Sequence, residues 1–288
     1  MSAFPRTKVG NLSVSRMIVG TNWFLGWSHA TEAKDQLIEE LIKNRARITE
    51  ILVTFFKAGV DTVMGPFPHP PLIEAVREAE QKTGVKAIII STPSFPVTDD
   101  LPAKGFDRGE VARILDEQAT MGTHICMPHQ GTTDALVDRC SRTIRHADTL
   151  CAMIRERGML PGLSTHMPES IIYADDTNLD VDTYISIFNS MGFLMQIEVD
   201  WTARIIAEAK KPVMTIKPFA AGQIRPFQGL TFVWNAIREI DMVAVGTMSV
   251  SEAQECIDLS QDILAHKAGH VQLQETRSKQ SVKRVLTR

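Results

Sequence analysis

The chain has few of the features on which disulfide-rich, zinc-binding or membrane proteins depend. Its 288 residues include four cysteines, none of them in a CxxC pair, which excludes a zinc knuckle and a thioredoxin-like motif and predicts reduced thiols. No apolar run approaches the roughly 20 residues of a membrane span. The opening segment "MSAFPRTKVGNLSVSR" lacks the apolar core of a signal peptide. We therefore expect a cytoplasmic protein that has no membrane partner.

The chain also has no large excess of positive or negative residues. The formal net charge is −3, so no excess of basic or acidic residues favours nucleic acid or an anionic membrane as a partner. The hydrophobic fraction of 44% is ordinary for a globular protein. A chain of this length can bury a large core without help from a metal ion or a disulfide. The expected partner is a small-molecule substrate, and a homo-oligomer is possible.

Short apolar runs alternate with longer amphipathic stretches along the chain, which is typical of parallel strands connected by helices. No GxGxxG follows the first run, which disfavours an open doubly wound sheet. Eight units predict a single-domain (β/α)8 TIM barrel over residues 1–268, of class α/β. Residues 269–288 form a basic tail that either lies on the surface, closes the barrel mouth or contacts another subunit. The predicted strands are 15–22, 60–65, 85–92, 123–128, 160–166, 193–201, 212–219 and 241–248.

Several stretches resemble the aldo-keto reductase family of (β/α)8 barrels. The resemblance is diffuse, but it covers most of the chain and implies the same barrel. The stretches that carry it are "KVGNLSVSRMIVGTN", "KAGVDTV", "GMLPGLSTHMPESI", "KPVMTIKPFAAGQI" and "DMVAVGTMSVSEAQEC".

The reductase activity that this resemblance implies depends on four side chains, and most of them are missing. Met64 or Gly65 stands where the family has its aspartate, and no tyrosine follows. Thr92 and Pro93 stand where the family has its lysine, and only His129 matches the family's histidine. In that mechanism the tyrosine donates the proton and the lysine lowers its pKa. We expect a divergent barrel that lacks this machinery.

The resemblance also implies an NADP site, with a cation after the eighth strand to hold the 2′-phosphate. The segment "GTMSVSEAQE" offers no lysine or arginine there. Backbone N–H groups of 247–250 could still bind a phosphate at a helix N-terminus. An NADP-dependent oxidoreductase with a rearranged site therefore stays open as an alternative.

Polar residues at the strand ends suggest a metal site instead. His129 and His166 end the predicted fourth and fifth strands, and Glu198 lies on the predicted sixth strand. Two imidazoles and one carboxylate at neighbouring strand ends can bind one divalent ion and leave positions for substrate. We predict these three residues as metal ligands, although each histidine can also be a structural one.

The segment "FLMQIEVDW" (193–201) alternates apolar and polar residues with a period of two. As a barrel strand it would turn Glu198 and Asp200 to the interior, where an unpaired carboxylate is costly. Lys217 on the next predicted strand would share that interior. It can serve as an ion-pair partner of Glu198, a general base or a Schiff-base amine.

The leading hypothesis is therefore an enzyme with metal-assisted lyase, isomerase or hydrolase chemistry on a small polar carbonyl or polyhydroxy, sugar-like compound. Lys217 and Asp200 are the predicted catalytic residues. Asn22, Trp23, Trp27 and His69 are the predicted substrate-binding residues. A barrel that binds a ligand without catalysis is the remaining alternative.

Overall fold

Runs of β-branched and apolar residues form the strands of a closed barrel in this computed structural model, which describes residues 3–42, 44–98, 100–267, 278–280 and 282. Eight parallel strands pair in the order β10-β11-β12-β3-β4-β5-β6-β9 and close on themselves. The strands are β1 (Arg6–Val9), β2 (Leu12–Ser15), β3 (Met17–Gly20), β4 (Thr62–Gly65), β5 (Ile88–Ser91), β6 (Ile125–Cys126), β7 (Val137–Asp138), β8 (Thr143–Ile144), β9 (Leu160–Ser164), β10 (Thr183–Ile187), β11 (Val213–Ile216) and β12 (Met242–Val245).

Helices surround the barrel. They are α1 (Glu32–Ile42), α2 (Arg45–Lys57), α3 (Pro70–Thr83), α4 (Leu101–Lys104), α5 (Arg108–Met121), α6 (Gln130–Ala135), α7 (Ala147–Arg155), α8 (Glu169–Asp176), α9 (Val199–Glu208), α10 (Pro226–Ala236) and α11 (Val250–Leu264). The class and the single-domain barrel predicted from the sequence are thereby confirmed.

The core has two layers, as alternation along buried parallel strands requires. Inside the barrel, residues such as Ile18, Ile185 and Met214 pack together, and Val9 and Val14 of the β1–β2 hairpin join them at the N-terminal end. The other face of each strand packs against the helices in a larger cluster. Side chains of the described strands therefore fill the interior below the C-terminal ends of the strands.

Amphipathic periodicity in the sequence predicts a single helix over 34–59 and another over 134–158. Both predictions were too long. The predicted helix over 34–59 is two helices, because Asn44 accepts a hydrogen bond from the Ala46 backbone N–H and begins α2. The predicted helix over 134–158 contains the antiparallel β7–β8 hairpin between α6 and α7. Amphipathic periodicity alone does not reveal such interruptions.

The predicted sixth strand was wrong. The sequence of 168–192 predicts a helical region broken near 175–182. The sixth barrel strand, β10, "TYISI", lies inside this region. The segment 193–201 is a loop followed by the first turn of α9, and Glu198 occupies the position just before that helix. The register is fixed by β10 pairing with β9 on one side and β11 on the other.

Most of the basic tail predicted over 269–288 lies outside the described residues, so its role stays a prediction. All four cysteines are free thiols. No described helix is long and apolar enough to cross a membrane.

Candidate functional site

A cavity of about 250 Å³ opens at the C-terminal end of the barrel, the end that carries the active site in barrel enzymes. Residues after strands β3, β4, β5, β6, β9 and β11 line it. Its ionisable lining side chains within the described chain are His29, His129, His166 and Lys217. Aromatic rings of Trp23, Trp27, Phe193 and Phe219 form much of the remaining wall.

Lys217 reaches this cavity through an unusual backbone conformation. Met214 and Ile216 face the barrel interior, so simple alternation would turn Lys217 outwards. Its φ is +62°, in the left-handed region that non-glycine residues rarely adopt. This turn directly after β11 places the side chain in the cavity lining. Strained backbone of this kind is concentrated at functional sites.

The loop that follows Lys217 is held tightly. Ala220 and Ala221 also have positive φ values, and the Ala220 backbone N–H donates to the Lys217 carbonyl over 3.0 Å. A β-carbon on Gly229 of α10 would lie 2.6 Å from the Pro218 carbonyl oxygen. Helix α10 therefore packs directly on the loop and fixes its conformation.

The pKa of the Lys217 amine lies close to neutral pH. Burial lowers its pKa to about 8, because a low-dielectric environment disfavours the charged ammonium. Within the described chain its amine makes no ion pair. Glu198 lies just before α9, where it is exposed. The interior ion pair between Lys217 and Glu198 that the sequence suggested is therefore not formed.

Three imidazoles surround this amine. His129 and His166 follow the neighbouring strands β6 and β9, whereas His29 is exposed at the rim. Burial and the nearby Lys217 lower the pKa of all three, and for His166 the pKa falls to about 4. Burial therefore favours the neutral form of each ring, and His166 is neutral at pH 7.

Hydrogen bonds assign the protons on two of these rings. The Gly131 backbone N–H donates to Nδ1 of His129 over 3.2 Å, so the neutral ring carries its proton on Nε2. The Asn22 amide nitrogen lies 2.9 Å from Nε2 of His29 and donates to it. His129 thereby retains an N–H donor that its backbone contact does not use.

A partly buried carboxyl group, that of Asp134, supports His166 after β9. Asp134 accepts hydrogen bonds from the Thr165 hydroxyl and from the backbone N–H of His166. Burial raises the pKa of Asp134, the largest of the influences on it. Thr165 also accepts from the Met167 backbone N–H, which fixes the turn after β9.

Trp23 forms a rigid part of the wall. Its ring lies 3.4 Å from where a β-carbon of Gly246 would be, and 3.7 Å from that of Gly222. The indole thus packs between the loops that follow β11 and β12. Asn22 and Trp27 also line the cavity, so three of the four predicted substrate-binding residues lie together.

The fourth predicted substrate-binding residue lies elsewhere. His69 is the residue before α3, and it is not part of the cavity lining. Its Nδ1 is buried without a hydrogen-bond partner among the described residues.

The two acidic residues that the sequence predicted for the site also lie outside it. Glu198 precedes α9 and Asp200 lies in its first turn, and both are exposed. Neither lines the cavity, because the segment that carries them is not a barrel strand. The prediction that their carboxylates point into the barrel was therefore wrong.

The metal ligand set is not assembled. His129 and His166 lie together as predicted, but Glu198 does not join them. Within the part of the chain that the structure describes, no group of three His, Cys, Asp or Glu side chains is arranged to hold a metal ion. A divalent ion would therefore lack a third ligand from these residues.

The positions that resemble the reductase site do surround the cavity. Met64, Gly65, Thr92 and His129 all contribute to its lining, but the described lining contains no tyrosine and no carboxylate. Gly65 is tightly packed, since a β-carbon there would lie 1.7 Å from the Thr21 hydroxyl oxygen. This leaves no room for an aspartate side chain at Gly65.

Two backbone N–H groups at the start of the helix after β12 are already hydrogen-bonded. The Ser249 hydroxyl accepts from the Glu252 backbone N–H, and the Glu252 carboxylate accepts from the Met248 backbone N–H over 2.7 Å. This capping box occupies two N–H groups and places a negative charge there. The site therefore fits the phosphate of a dinucleotide poorly.

One ionisable residue of the cavity lining had no predicted role. His29 was assigned no role because it lies on a loop, yet it lines the mouth near Lys217. The available signal was its place in "NWFLGWSH", directly after the first barrel strand. In a barrel, loops at that end converge on the site.

Comparisons with known proteins identify the architecture. No family model and no curated protein sequence matches the chain. Among solved structures, a Pseudomonas aeruginosa protein provisionally described as an aldo-keto reductase has a TM-score of 0.64 and 14% identity, over 90% of this chain and 96% of that one. An aldo-keto reductase of the silkworm Bombyx mori has a TM-score of 0.58 and 11% identity, over 95% and 91%.

A different kind of barrel is also similar. A truncated 3-deoxy-D-arabino-heptulosonate 7-phosphate synthase from Thermotoga maritima has a TM-score of 0.51 and 12% identity, over 92% of both chains. Identities this low show the fold alone. The chain is a divergent (β/α)8 barrel of the architecture found in aldo-keto reductases.

Proposed function

We propose that this barrel is an enzyme that acts on a small carbonyl compound through the amine of Lys217. The observation that carries the proposal is the buried amine at the end of β11, with a pKa near 8 and no carboxylate in the described lining. An amine with a lowered pKa is a nucleophile near neutral pH, and lysines of this kind form Schiff bases with carbonyl substrates.

The chemistry that fits these groups is imine formation. His166 takes one proton from the Lys217 ammonium, and the neutral Nζ then attacks the carbonyl carbon, so that a C–N bond forms as the C=O π bond breaks. The oxygen takes up a second proton from the attacking nitrogen to give a carbinolamine. His166 returns the first proton to that oxygen, which leaves as water while the nitrogen lone pair forms the C=N bond of a protonated imine. The protonated imine withdraws electrons from the adjacent carbon, which serves lyase or isomerase reactions.

Neighbouring side chains can carry the protons. The Nε2–H of His129 can donate a hydrogen bond to the carbonyl oxygen, and neutral His166 can accept a proton and return it. Trp23, Trp27 and Phe193 restrict water and supply an apolar wall. The support for a metal-dependent or NADP-dependent reaction is weaker, because neither the metal ligand set nor a phosphate site is assembled.

Borohydride trapping tests the proposal. The protein is incubated with a small carbonyl compound such as pyruvate or dihydroxyacetone, reduced with borohydride, and mapped by peptide mass spectrometry. We expect a secondary amine adduct on Lys217, formed at least tenfold faster than on the exposed Lys57.

Lys217→Met supplies the matched control. It should eliminate the Lys217 adduct and leave the slow background at Lys57 unchanged, whereas Lys57→Met should leave the Lys217 adduct intact. An adduct that forms at Lys217 no faster than at Lys57 would refute the proposed chemistry.

A further inference from the structure

The charge of the cavity points to one kind of substrate. Every ionisable side chain in its described lining is basic, namely His29, His129, His166 and Lys217. The neutral imidazoles supply N–H hydrogen-bond donors and Lys217 supplies the positive charge, so an anionic group is the ligand that both can hold. The basic groups are contributed by four separate segments, so this pattern does not arise from one local charge run.

Three carboxylates close to the lining residues lie outside the lining itself, where each accepts hydrogen bonds. Asp134 accepts from Thr165 and from the His166 backbone. Asp35 accepts from the Ser28 backbone N–H over 2.7 Å, and Glu252 caps α11. None of the three lines the cavity. The lining thus has hydrogen-bond donors and positive charge without an internal counter-ion.

The arrangement separates a reactive position from a recognition position. Lys217 follows β11, whereas His129 and His166 follow β6 and β9. In the barrel order these strands are separated from β11 by β10, which contributes the apolar Ile185 to the lining. Because all three side chains line one cavity of about 250 Å³, a carbonyl carbon at the amine and an anionic group at the imidazoles can belong to one short molecule.

Size limits that molecule. The cavity of about 250 Å³ lies below the range of about 300–1,000 Å³ that is usual for larger ligands. An anionic substituent also favours the reaction itself, because it stabilises the positive charge that develops on the imine nitrogen.

We propose that the substrate is a small oxo compound with an anionic group beside the carbonyl, a carboxylate or a phosphate, which His129 and His166 bind while Lys217 forms the imine. This inference rests on the proposed function, since it assumes that the carbonyl reacts at Lys217. It adds that the basic lining selects for negative charge.

Matched carbonyl pairs test the inference. Pyruvate is compared with methyl pyruvate, which has the same reactive carbonyl but no charge, and dihydroxyacetone phosphate is compared with dihydroxyacetone. Borohydride adducts are quantified at Lys217 and, in the same sample, at exposed Lys57. The ratio at Lys57 gives the intrinsic reactivity of each pair.

We expect at least one anionic member to react at Lys217 with a preference at least tenfold above the Lys57 ratio. A preference confined to pyruvate identifies carboxylate as the recognised group, and one confined to dihydroxyacetone phosphate identifies phosphate. Adducts at Lys217 without a charge preference would overturn this inference and leave the proposed function intact. Absence of any Lys217 adduct would overturn both.

Variants of the two histidines locate the recognition. His129→Leu and His166→Leu should each lower the anion preference at Lys217 at least fivefold, whereas His129→Gln, which keeps an N–H donor, should lower it less. Unfolded chains would also lose the preference, so the ratios are compared only among variants whose urea unfolding shows that they are folded under the assay conditions. Unchanged ratios in both leucine variants would refute the assigned role of the histidines.

Discussion

Lys217 and Glu198 both looked like interior charges in the sequence, yet they occupy opposite environments. Lys217 is mostly buried at the mouth of the barrel, and burial lowers its pKa to about 8. Glu198 is exposed before α9, and its carboxylate makes no ion pair with a described residue. The sequence predicted an interior position for both residues. That prediction is correct for Lys217, although alternation along the strand is not the reason, and it is wrong for Glu198.

Backbone geometry accounts for the difference. Alternation predicts the orientation of a residue only inside a strand, and both residues lie outside one. Lys217 follows β11 with a left-handed φ that redirects it inwards. Glu198 precedes a helix whose first turn happens to continue a period-two pattern of apolar residues. The two sites therefore respond differently to pH and to substitution.

The largest expected difference is in pH dependence. Imine trapping at Lys217 requires the neutral amine, whose fraction rises about fifty-fold between pH 6 and pH 8 for a pKa near 8. Initial adduct rates, measured at saturating borohydride across this range, should rise accordingly and level off above pH 8. Glu198→Gln should leave the profile unchanged. A profile that keeps rising steeply to pH 10 would show that the amine is not perturbed.

The next effect concerns the loop that holds Lys217. Glycine to alanine inside a helix usually stabilises a protein by about 0.5–1 kcal/mol. At Gly229 we expect the opposite sign, a loss of about 1–3 kcal/mol, because the new β-carbon would lie 2.6 Å from the Pro218 carbonyl oxygen.

Urea unfolding and adduct rates together measure this change. Gly229→Ala should also slow trapping at Lys217, since the loop must shift. Gly109→Ala in α5 is the control, because its β-carbon would meet only the Asp107 side chain at 3.2 Å. A Gly229→Ala variant with unaltered stability and rate would contradict a tightly held loop.

The sequence was sufficient for the barrel and for seven of its eight strands. Alternating apolar runs and helices with terminal glycines, such as α3 ending at Gly84, give strong local signals. The sixth strand was missed because "TYISI" is short and lies between polar residues that resemble a helix break. Only its pairing with β9 and β11 distinguishes it.

The candidate site was less accessible from sequence. His129, His166 and Lys217 were found because each follows a correctly placed strand. His29 was missed because its position depends on how the loop after β3 folds over the mouth. The interior position predicted for Glu198 was wrong because the segment that carries it is not a strand, so its side chains do not have the orientations that a strand would give them.

A smaller effect is expected on the free energy of unfolding, which the buried Lys217 ammonium lowers. Its pKa is lowered from 10.5 to about 8, so the folded state binds the proton less well than the unfolded state between these values. The cost is full below pH 8, where both states are protonated, and is relieved as pH rises towards 10.5.

Lys217→Met should therefore raise stability at pH 7 by about 1–2 kcal/mol, allowing for partial exposure. The melting temperature should rise by about 2–4 °C per kcal/mol, and the gain over wild type should shrink between pH 8 and pH 10. Lys57→Met should show neither change. A destabilised Lys217→Met variant would indicate an unrecognised partner of the ammonium.

The smallest effect is expected at Glu198, and it separates the two interpretations of that residue. Glu198 occupies the N-cap position of α9, where its side chain makes no capping hydrogen bond. Serine accepts such a bond from the helix N-terminus, worth about 0.5–1 kcal/mol, while the lost charge near the helix dipole offsets part of it.

Glu198→Ser should therefore change the free energy of unfolding by no more than about 0.5 kcal/mol, and in the stabilising direction. Urea unfolding at low and high salt measures it, and adduct formation at Lys217 should be unaffected. An interior ion pair between Glu198 and Lys217 demands the reverse, because removing one partner of a buried pair costs about 3–5 kcal/mol. A loss of that size would restore the interior position that the alternating pattern suggested.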